Sequence, residues 1–238
     1  MDAPVDASVD AWVLVCAGLV AHADGRLEVE EWDVVTELLE AAVAEDLSSY
    51  LDLLSDPEGL ERRFEAMRPP DEMAAREVIA YRAWQVALGD GAVTEVEASV
   101  HQRICARLGI DEPTAENWRK TWSELAATRG EIAVGLAAVL AHLDGSLDPA
   151  EAVSFTEILD RVPVPVARRL ELGELLHAPP PLDELVARAS PLPEREKVAL
   201  VRTVLPMVRA SARGDREQAT LATFAEHIGL PPDLAREA

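Results

Sequence analysis

The pattern of apolar and polar positions along the chain is helical. Apolar side chains recur at intervals of three and four residues, as in residues 9–23, where Val9, Trp12, Val13 and Cys16 form one stripe. The alternation that is typical of a half-buried strand is absent from the sequence. We therefore expect an all-α protein. The pattern predicts helices over residues 9–23, 30–44, 47–54, 57–67, 72–88, 95–108 and 113–126, and the same order recurs in the second half.

Prolines mark several of the predicted boundaries. Asp56-Pro57 separates two predicted helices, and Ala178–Pro181 predicts a stiff loop. Pro206 lies inside a helix predicted over residues 194–212. It should kink that helix, because proline lacks a backbone N–H and its ring clashes with the preceding turn.

The chain repeats itself at an offset of 120 residues. Ala21–Leu27 resembles Ala141–Leu147, and Leu108–Ile110 resembles Ile228–Leu230. Self-similarity at a fixed offset is typical of an internal duplication, and each copy is long enough to form a domain with its own core. The sequence therefore predicts two tandem helical bundles related by duplication, with the boundary near residues 127–130. The predicted domains are residues 1–126 and residues 127–238.

A shorter motif, Asp-Gly-x-Leu/Val-x-x-x-Glu, recurs inside these predicted domains. It occupies Asp24–Glu31, Asp90–Glu97 and Asp144–Glu151, and each copy lies between two predicted helices. The fourth expected copy has lost the Asp-Gly pair and keeps only Glu217. The second domain is therefore the more diverged of the two.

The motif has a structural interpretation. Glycine adopts the left-handed conformation that ends a helix at little steric cost, so we expect Gly25 to end the helix before it. Thr94 and Glu97 have the spacing of a capping box, in which each side chain binds the backbone N–H of the other. Asp148 is expected to cap the next helix of the third copy, with Pro149 at its first position. On this interpretation, helix capping alone explains the presence of the glutamate in the motif.

The same motif also matches half of a calcium loop. If Gly25 is aligned with the glycine of an EF-hand loop, Asp24 and Glu31 match the loop, whereas Val20 and His22 stand where side-chain oxygens are required. One copy alone should not bind calcium, but two copies brought together would surround a divalent cation with carboxylates. The candidate ligands are Asp24, Glu31, Asp90 and Glu97 in the first domain and, as a weaker set, Asp144 and Glu151 in the second.

Two histidines stand at equivalent places in the 120-residue repeat. His22 and His142 each lie two residues before Asp-Gly. They would extend the candidate cation site as metal ligands. The interpretation we favour is structural, because a histidine at a helix C-terminus can bond the last carbonyls and complements the helix dipole. The sequence contains no zinc-ligand, nucleophile-elbow or phosphate-loop spacing, so we predict no catalytic residue and no enzymatic activity.

The charge of the chain excludes several classes of partner. The formal net charge is −22, which disfavours nucleic acid and anionic lipid, because binding to either requires clustered Lys and Arg. Residues 1–120 carry 26 acidic and 10 basic residues, and residues 121–238 carry 18 and 12. We therefore expect the first domain to contact a cation or a basic protein partner. Trp118 and Trp122, four residues apart, are candidates for a partner contact.

The cysteines and the N-terminal segment predict a cytoplasmic location. Cys16 and Cys105 are the two cysteines of the chain, and both lie in apolar helical patterns, so no disulfide framework is expected. Residues 1–6 are acidic, unlike the basic start of a signal peptide. The apolar stretch 11–23 is interrupted by His22 and is too short to span a bilayer, so no membrane insertion is expected. The oligomeric state stays open.

Two segments resemble the tellurite-resistance TerB family in their order and spacing. They are Ala23–Glu31 and Gly89–Ile110, whose starts lie 66 residues apart. Leu54–Glu58 and Pro70 resemble the middle segment of the family. The resemblance covers residues 8–118 and, more weakly, residues 130–236. The degenerate fourth motif at Glu217 departs from the family pattern.

The resemblance implies both a fold and a function. TerB-like domains are small all-helical domains associated with tellurite and other chemical stress, and no enzymatic activity is established for the domain itself. The resemblance therefore implies two tandem TerB-like bundles that act as a non-enzymatic, acidic interaction or scaffold protein of the stress response. The alternative is a divalent-cation buffer or sensor that uses the paired Asp-Gly/Glu motifs of the first domain.

Overall fold

The structure is a computed structural model that describes residues 7–25, 34–36, 38, 47–89, 91–143, 149–210 and 215–235. Over these residues the protein is all-helical and contains no β-strand, which confirms the predicted fold class at this level. Of the helix predicted over residues 30–44, the described residues 34–36 and 38 are helical.

The described helices follow one another along the chain. None of those described combines the length and the apolar character that crossing a bilayer requires. Short 3-10 turns lie at Glu174–Leu176 and Pro232–Ala235. The α-helices are α1 (Val9–Ala21), α2 (Leu47–Leu54), α3 (Pro57–Ala66), α4 (Met73–Ala87), α5 (Glu95–Arg107), α6 (Glu112–Ala141), α7 (Pro149–Asp160), α8 (Val166–Gly173), α9 (Leu182–Ala189), α10 (Glu194–Ala210) and α11 (Asp215–His227).

Helix α6 is longer than the sequence predicted. The pattern indicated a helix over residues 113–126, whereas α6 runs from Glu112 to Ala141. Buried apolar side chains continue at helical spacing beyond Ala126, and no proline interrupts them. Gly130 costs about 1 kcal/mol relative to alanine in a helix. It is also a place of close packing, because a Cβ atom there would lie 2.7 Å from Cγ1 of Val162.

The chain divides into two compact units. The first unit is Met1–Ser123 and the second unit is Glu124–Ala238. The second has a continuous apolar core of its own, and buried apolar side chains form the interior of the first. The origin of the units by duplication and their TerB-like identity stay predictions.

Helix α1 is the centre of the first unit. Every residue from Ala11 to Ala21 is buried, and the helix packs against α3, α4 and α5. Trp12 is fully buried and meets Phe64 edge-on, with ring centroids 5.8 Å apart. Its indole Nε1 donates to the backbone oxygen of Arg68 at 3.1 Å. The all-round apolar surface of α1 therefore reflects a helix that is enclosed on every side.

The second unit has its own enclosed helical segment. Residues 132–138 of α6 are all buried, and Phe155 and Phe224 belong to the same core. Helix α10 packs against α7 and α11. Pro206 lies inside α10, which continues to Ala210. The proline therefore removes one backbone donor without ending the helix.

The ends of α5 and α11 share one backbone geometry. Gly109 has a φ of +72° and Gly229 a φ of +85°, in the left-handed region that favours glycine. In both cases the N–H of the next residue, Ile110 or Leu230, donates to the carbonyl five residues back at 2.9 Å. This is the Schellman pattern, and the buried side chain after each glycine completes it.

The two Asp-Gly turns of the first unit also share a geometry. Gly25 has a φ of +77° and Gly91 a φ of +85°, which confirms the left-handed conformation predicted for Gly25. The N–H of Gly25 donates to the carbonyl of His22 at 3.1 Å, and the N–H of Gly91 to that of Leu88 at 3.2 Å. The turns after α1 and α4 are therefore built alike.

Candidate functional site

Helix α5 begins with the capping box that the sequence predicts. Thr94 Oγ1 accepts the N–H of Glu97 at 3.2 Å. In return Glu97 Oε2 accepts the N–H of Thr94 at 2.6 Å and its hydroxyl at 2.7 Å. Glu97 is buried, and these donors replace the water that the carboxylate has lost. The structural interpretation of the motif is confirmed for this copy.

The candidate cation ligands lie only partly within the described residues. Asp24 is exposed in the turn after α1, whereas Glu97 and Glu151 are buried near the starts of α5 and α7. Among the residues that the structure describes, no three His, Cys, Asp or Glu side chains are grouped so as to hold a metal ion. The cation site stays a prediction. Outside the described residues lie Glu31, Asp90 and Asp144.

Helix α7 begins at Pro149, as predicted for the third copy of the motif. Glu151 follows in its first turn and is buried. The proposed cap of this helix, Asp148, lies outside the described residues. The start of α7 therefore agrees with the expected position of the proline, and the role of Asp148 stays a prediction.

The second unit contains a buried glutamate that lacks the hydroxyl donor of the first unit. Glu217 lies in the first turn of α11, 120 residues after Glu97, and is buried. The sequence position that corresponds to Thr94 is Gly214, which has no side-chain donor. Glu217 Oε2 has no hydrogen-bond partner within the described part of the chain. The glycine at position 214 is the sequence signal that the hydroxyl donor of Thr94 has no counterpart in the second unit.

The two equivalent histidines have structural contacts. His142 Nδ1 donates to the carbonyl of Ala138 in the last turn of α6 at 2.9 Å. His22 Nε2 donates to the carbonyl of Leu54, at the end of α2, at 2.7 Å. His142 therefore bonds its own helix end, as the favoured interpretation expects. His22 differs, because its ring connects the end of α1 to another helix.

A buried histidine and a buried cysteine form a polar pair that sequence reasoning missed. His101 and Cys105 lie one turn apart on α5, with 0% and 1% of their surfaces exposed. His101 Nε2 is 2.9 Å from the backbone oxygen of Ala80, so this nitrogen donates. Cys105 Sγ lies 3.6 Å from Nδ1 and 4.0 Å from Nε2, so the thiol contacts the ring without lying along the lone pair of Nδ1. The spacing of the pair was visible in the sequence, but nothing there indicates what the ring contacts.

Aromatic rings surround His101. The ring centroids of Trp84 and Trp122 lie 4.8 Å and 6.4 Å from that of His101, both edge-on. Trp122 also meets Tyr81 edge-on and stacks on Trp118, each with centroids 5.4 Å apart. Trp122 is 2% exposed, so its role in the structure is that of a core residue. Trp118 is half-buried and is the member of the predicted contact pair that reaches the surface.

Burial keeps both members of the histidine–cysteine pair neutral. It lowers the pKa of His101 to about 4, against the opposing effect of the Ala80 hydrogen bond. It also raises the pKa of the Cys105 thiol to about 12. The guanidinium of Arg119 lowers both pKa values and the carboxylate of Glu112 raises both, and these two side chains pair with each other at 2.7 Å. A neutral thiol is a weak nucleophile, so the pair is suited to packing rather than to covalent catalysis.

Ion pairs hold the second unit together. Arg129 Nη1 lies 2.8 Å from Glu196 Oε2, with side chains 20% and 1% exposed. Glu131 accepts hydrogen bonds from Arg168 at 2.8 Å and 2.9 Å and from Arg188 at 2.9 Å. The hydrogen bonds from Arg168, followed by that from Arg188, lower the pKa of the Glu131 carboxyl. These pairs join the second-unit part of α6 to α8, α9 and α10, and we infer a structural role for them.

The arginines of the first unit are largely engaged within that unit. Carboxylates pair with Arg62, Arg103 and Arg119 at distances of 3.2 Å, 2.6 Å and 2.7 Å. Backbone oxygens accept from Arg76 at 2.7 Å and from Arg107 at 3.0 Å and 2.8 Å. The acidic residues of this unit outnumber the basic ones, so these contacts leave an excess of negative charge.

Loss of the capping box is expected to destabilise the first unit. Thr94→Ala removes both the acceptor for the Glu97 N–H and one donor to Glu97 Oε2. We expect the free energy of unfolding of the first unit to fall by about 1–2 kcal/mol. Urea unfolding followed by tryptophan fluorescence measures this, because all five tryptophans lie in the first unit.

The matched control is Thr121→Ala. The Thr121 hydroxyl is exposed and donates to the carbonyl of Asn117 within α6. Its removal should change the free energy of unfolding by less than about 0.5 kcal/mol. An equal effect of the two substitutions would contradict the role assigned to the capping box.

Comparison of the chain with protein-family models, with curated proteins and with solved structures finds no match in any of the three.

Proposed function

We propose that this protein is a non-enzymatic, acidic interaction or scaffold protein of the TerB-like stress-response type, and that its first unit contacts a basic protein partner. The observation that carries the proposal is the surface charge of the first unit. Among the described acidic side chains of that unit, Glu97 is buried and the others are exposed or half-buried. Surface charge of one sign guides association with a partner of opposite charge and gives specificity.

The engaged arginines strengthen this argument. An arginine that pairs internally neutralises one acidic residue at most, and Arg76 and Arg107 bind backbone oxygens, which carry no net charge. Residues 1–120 have a charge of −16 from their 26 acidic and 10 basic residues. Internal pairing therefore cannot balance the surface of the first unit, and a basic partner would do so.

The contacts of four buried ionisable groups favour an interaction role over a catalytic one. Glu97 caps α5, and Glu196 pairs with Arg129. His101 and Cys105 contact each other in an aromatic environment that keeps both neutral. Each of these groups has a partner that the fold itself requires.

The proposal is tested by neutralising exposed acids in the full-length chain. An exposed ion pair contributes about 0.2–1 kcal/mol, so four substitutions should weaken capture of a basic partner about tenfold. Binding is measured by affinity capture from the native cell extract at low and at high salt, with quantitative mass spectrometry. The four substitutions of the first unit are Asp52→Asn, Glu65→Gln, Glu72→Gln and Glu116→Gln, all at exposed positions.

A matched set in the second unit controls for the loss of charge as such. It is expected to leave capture unchanged, because it removes the same four charges from the less acidic unit. Equal loss of capture with both sets, or capture that is insensitive to salt, would contradict the proposal. The control substitutions are Glu157→Gln, Asp160→Asn, Glu174→Gln and Glu184→Gln, also at exposed positions.

A further inference from the structure

The histidine at the centre of the first unit differs from every other histidine of the chain. His101 is fully buried, whereas His22 is half-buried and the remaining three are exposed. Its ring lies where α4, α5 and α6 meet, between Trp84 of α4 and Trp122 of α6. A charge placed on this ring would therefore be far from bulk water.

The hydrogen bonds of His101 fit the neutral ring. Nε2 donates to the carbonyl of Ala80, and that bond fixes the tautomer. Nδ1 then carries a lone pair and no proton, and Cys105 Sγ packs against the ring at 3.6 Å from Nδ1 and 4.0 Å from Nε2. A proton on Nδ1 would place a positive charge, and a second N–H that needs an acceptor, in this enclosed aromatic environment.

Among the described residues of the first unit, no charged group provides a counter-ion in contact with the ring. From α6, Arg119 and Glu112 act on His101 in opposite directions, and they pair with each other. On α5, the Glu97 carboxylate is bound to Thr94. Within the described part of the chain, the other titratable neighbours are Cys105, Tyr81 and Cys16. Tyr81 of α4 packs on Trp122, and Cys16 of α1 interacts with Cys105.

We propose that His101 is an acid-sensitive switch of the first unit: protonation of its buried ring places a charge between Trp84 and Trp122 and loosens the packing of α5 against α4 and α6. The second unit has no buried histidine, because His142, His177 and His227 are all exposed. Acid is therefore expected to open the first unit while the second unit stays folded.

The direction of the pH effect follows from the burial of the ring. Burial lowers the pKa of His101 to about 4, below the usual histidine pKa of about 6.5. Between these two pH values the unfolded chain binds a proton at His101 and the folded chain does not. The stability that the neutral ring contributes is therefore present above about pH 6.5 and is lost as the pH falls toward about 4.

The test compares the pH dependence of unfolding in the wild-type chain and in His101→Phe, whose ring fills the same space and does not titrate. Urea unfolding of the full chain is followed by tryptophan fluorescence, which reports on the first unit. Between about pH 6.5 and about pH 4, the unfolding constant of the wild type should rise about tenfold per pH unit relative to that of the variant. His142→Gln should keep the wild-type slope, since its ring is exposed.

Two further measurements keep the test decisive if His101→Phe folds poorly. His101→Gln, which can still donate to the Ala80 carbonyl, should show the same shallow slope. In the wild-type chain, the NMR signal of the His101 ring should keep its neutral chemical shift down to about pH 5. Equal pH slopes in the wild type and the variants, or a ring that titrates near the unperturbed value of about 6.5, would overturn the proposal.

The order in which the tryptophan signal and the circular dichroism change with acid gives an independent measurement. As acid shifts the tryptophan emission, a large part of the helical circular dichroism should remain, because the second unit is still folded. Simultaneous loss of both signals in the wild type would also overturn the proposal, since the switch is assigned to the first unit alone.

Discussion

Trp12→Ala is expected to lower the free energy of unfolding of the first unit by about 3–5 kcal/mol, the range observed when a large buried aromatic side chain is removed. Trp12 is 0% exposed on the central helix α1, and its ring meets Phe64 edge-on. The substitution leaves a cavity and also removes the donor to the Arg68 carbonyl. Urea unfolding with fluorescence of the four remaining tryptophans measures the loss.

Two variants separate the causes of this effect. Trp12→Phe keeps an aromatic ring and loses the indole N–H, so it should have a smaller effect than alanine. Val78→Ala on α4 removes a side chain that is 47% exposed, and it should change stability by less than about 0.5 kcal/mol. If Val78→Ala were as damaging as Trp12→Ala, the assignment of α1 as the centre of the unit would be wrong.

Arg129→Met is expected to destabilise the second unit by about 3 kcal/mol. It leaves the Glu196 carboxylate, 1% exposed, without the guanidinium that lies 2.8 Å away. Arg195 compensates only in part, since its Nε is 3.6 Å from Glu196 Oε1 and its side chain is 45% exposed. Hydrogen exchange of α10 peptides and circular dichroism measure this loss, because the second unit contains no tryptophan.

The double variant Arg129→Met/Glu196→Met distinguishes a buried ion pair from simple packing. With both charges gone, no buried charge is left unpaired, so the double variant should be more stable than Arg129→Met alone. Arg202→Met is the control, because Arg202 is exposed on the same helix as Glu196. The loss of stability in the double variant could instead equal the sum of the losses in Arg129→Met and Glu196→Met. That result would show that the pairing of the two charges is not the cause.

Local signals explain which parts of the fold the sequence could predict. The capping box of Thr94 and Glu97 and the left-handed Gly25 depend on residues within four positions of one another, and both are confirmed. The contact of His101 with Ala80 depends on how α4 and α5 pack, across 21 residues of chain. No periodicity or motif contains that information, so the buried pair of His101 and Cys105 was not predicted.

The length of α6 also depends on packing that local sequence patterns do not show. Gly130 and the polar residues before it suggested the end of a helix. The burial of the turns that follow stabilises α6 by more than a glycine destabilises it.

The glutamates of the capping motif also show what depends on tertiary structure. Sequence reasoning treated Glu217 as a motif remnant, whereas the structure shows a buried carboxylate oxygen that has no donor among the described residues. Position 214, which corresponds to Thr94, is a glycine and has no hydroxyl to donate. The importance of that difference becomes clear only from the hydrogen bond between Thr94 and Glu97 in the first unit.

The close approach of Gly130 to Val162 links two positions that lie far apart in the sequence. A side chain at position 130 needs space that the γ-carbons of Val162 now fill. Evolution can therefore enlarge position 130 readily only where position 162 shrinks. Diverged relatives of this chain would then be recognisable by the summed volume of the two residues, which selection would hold nearly constant even where neither residue is kept.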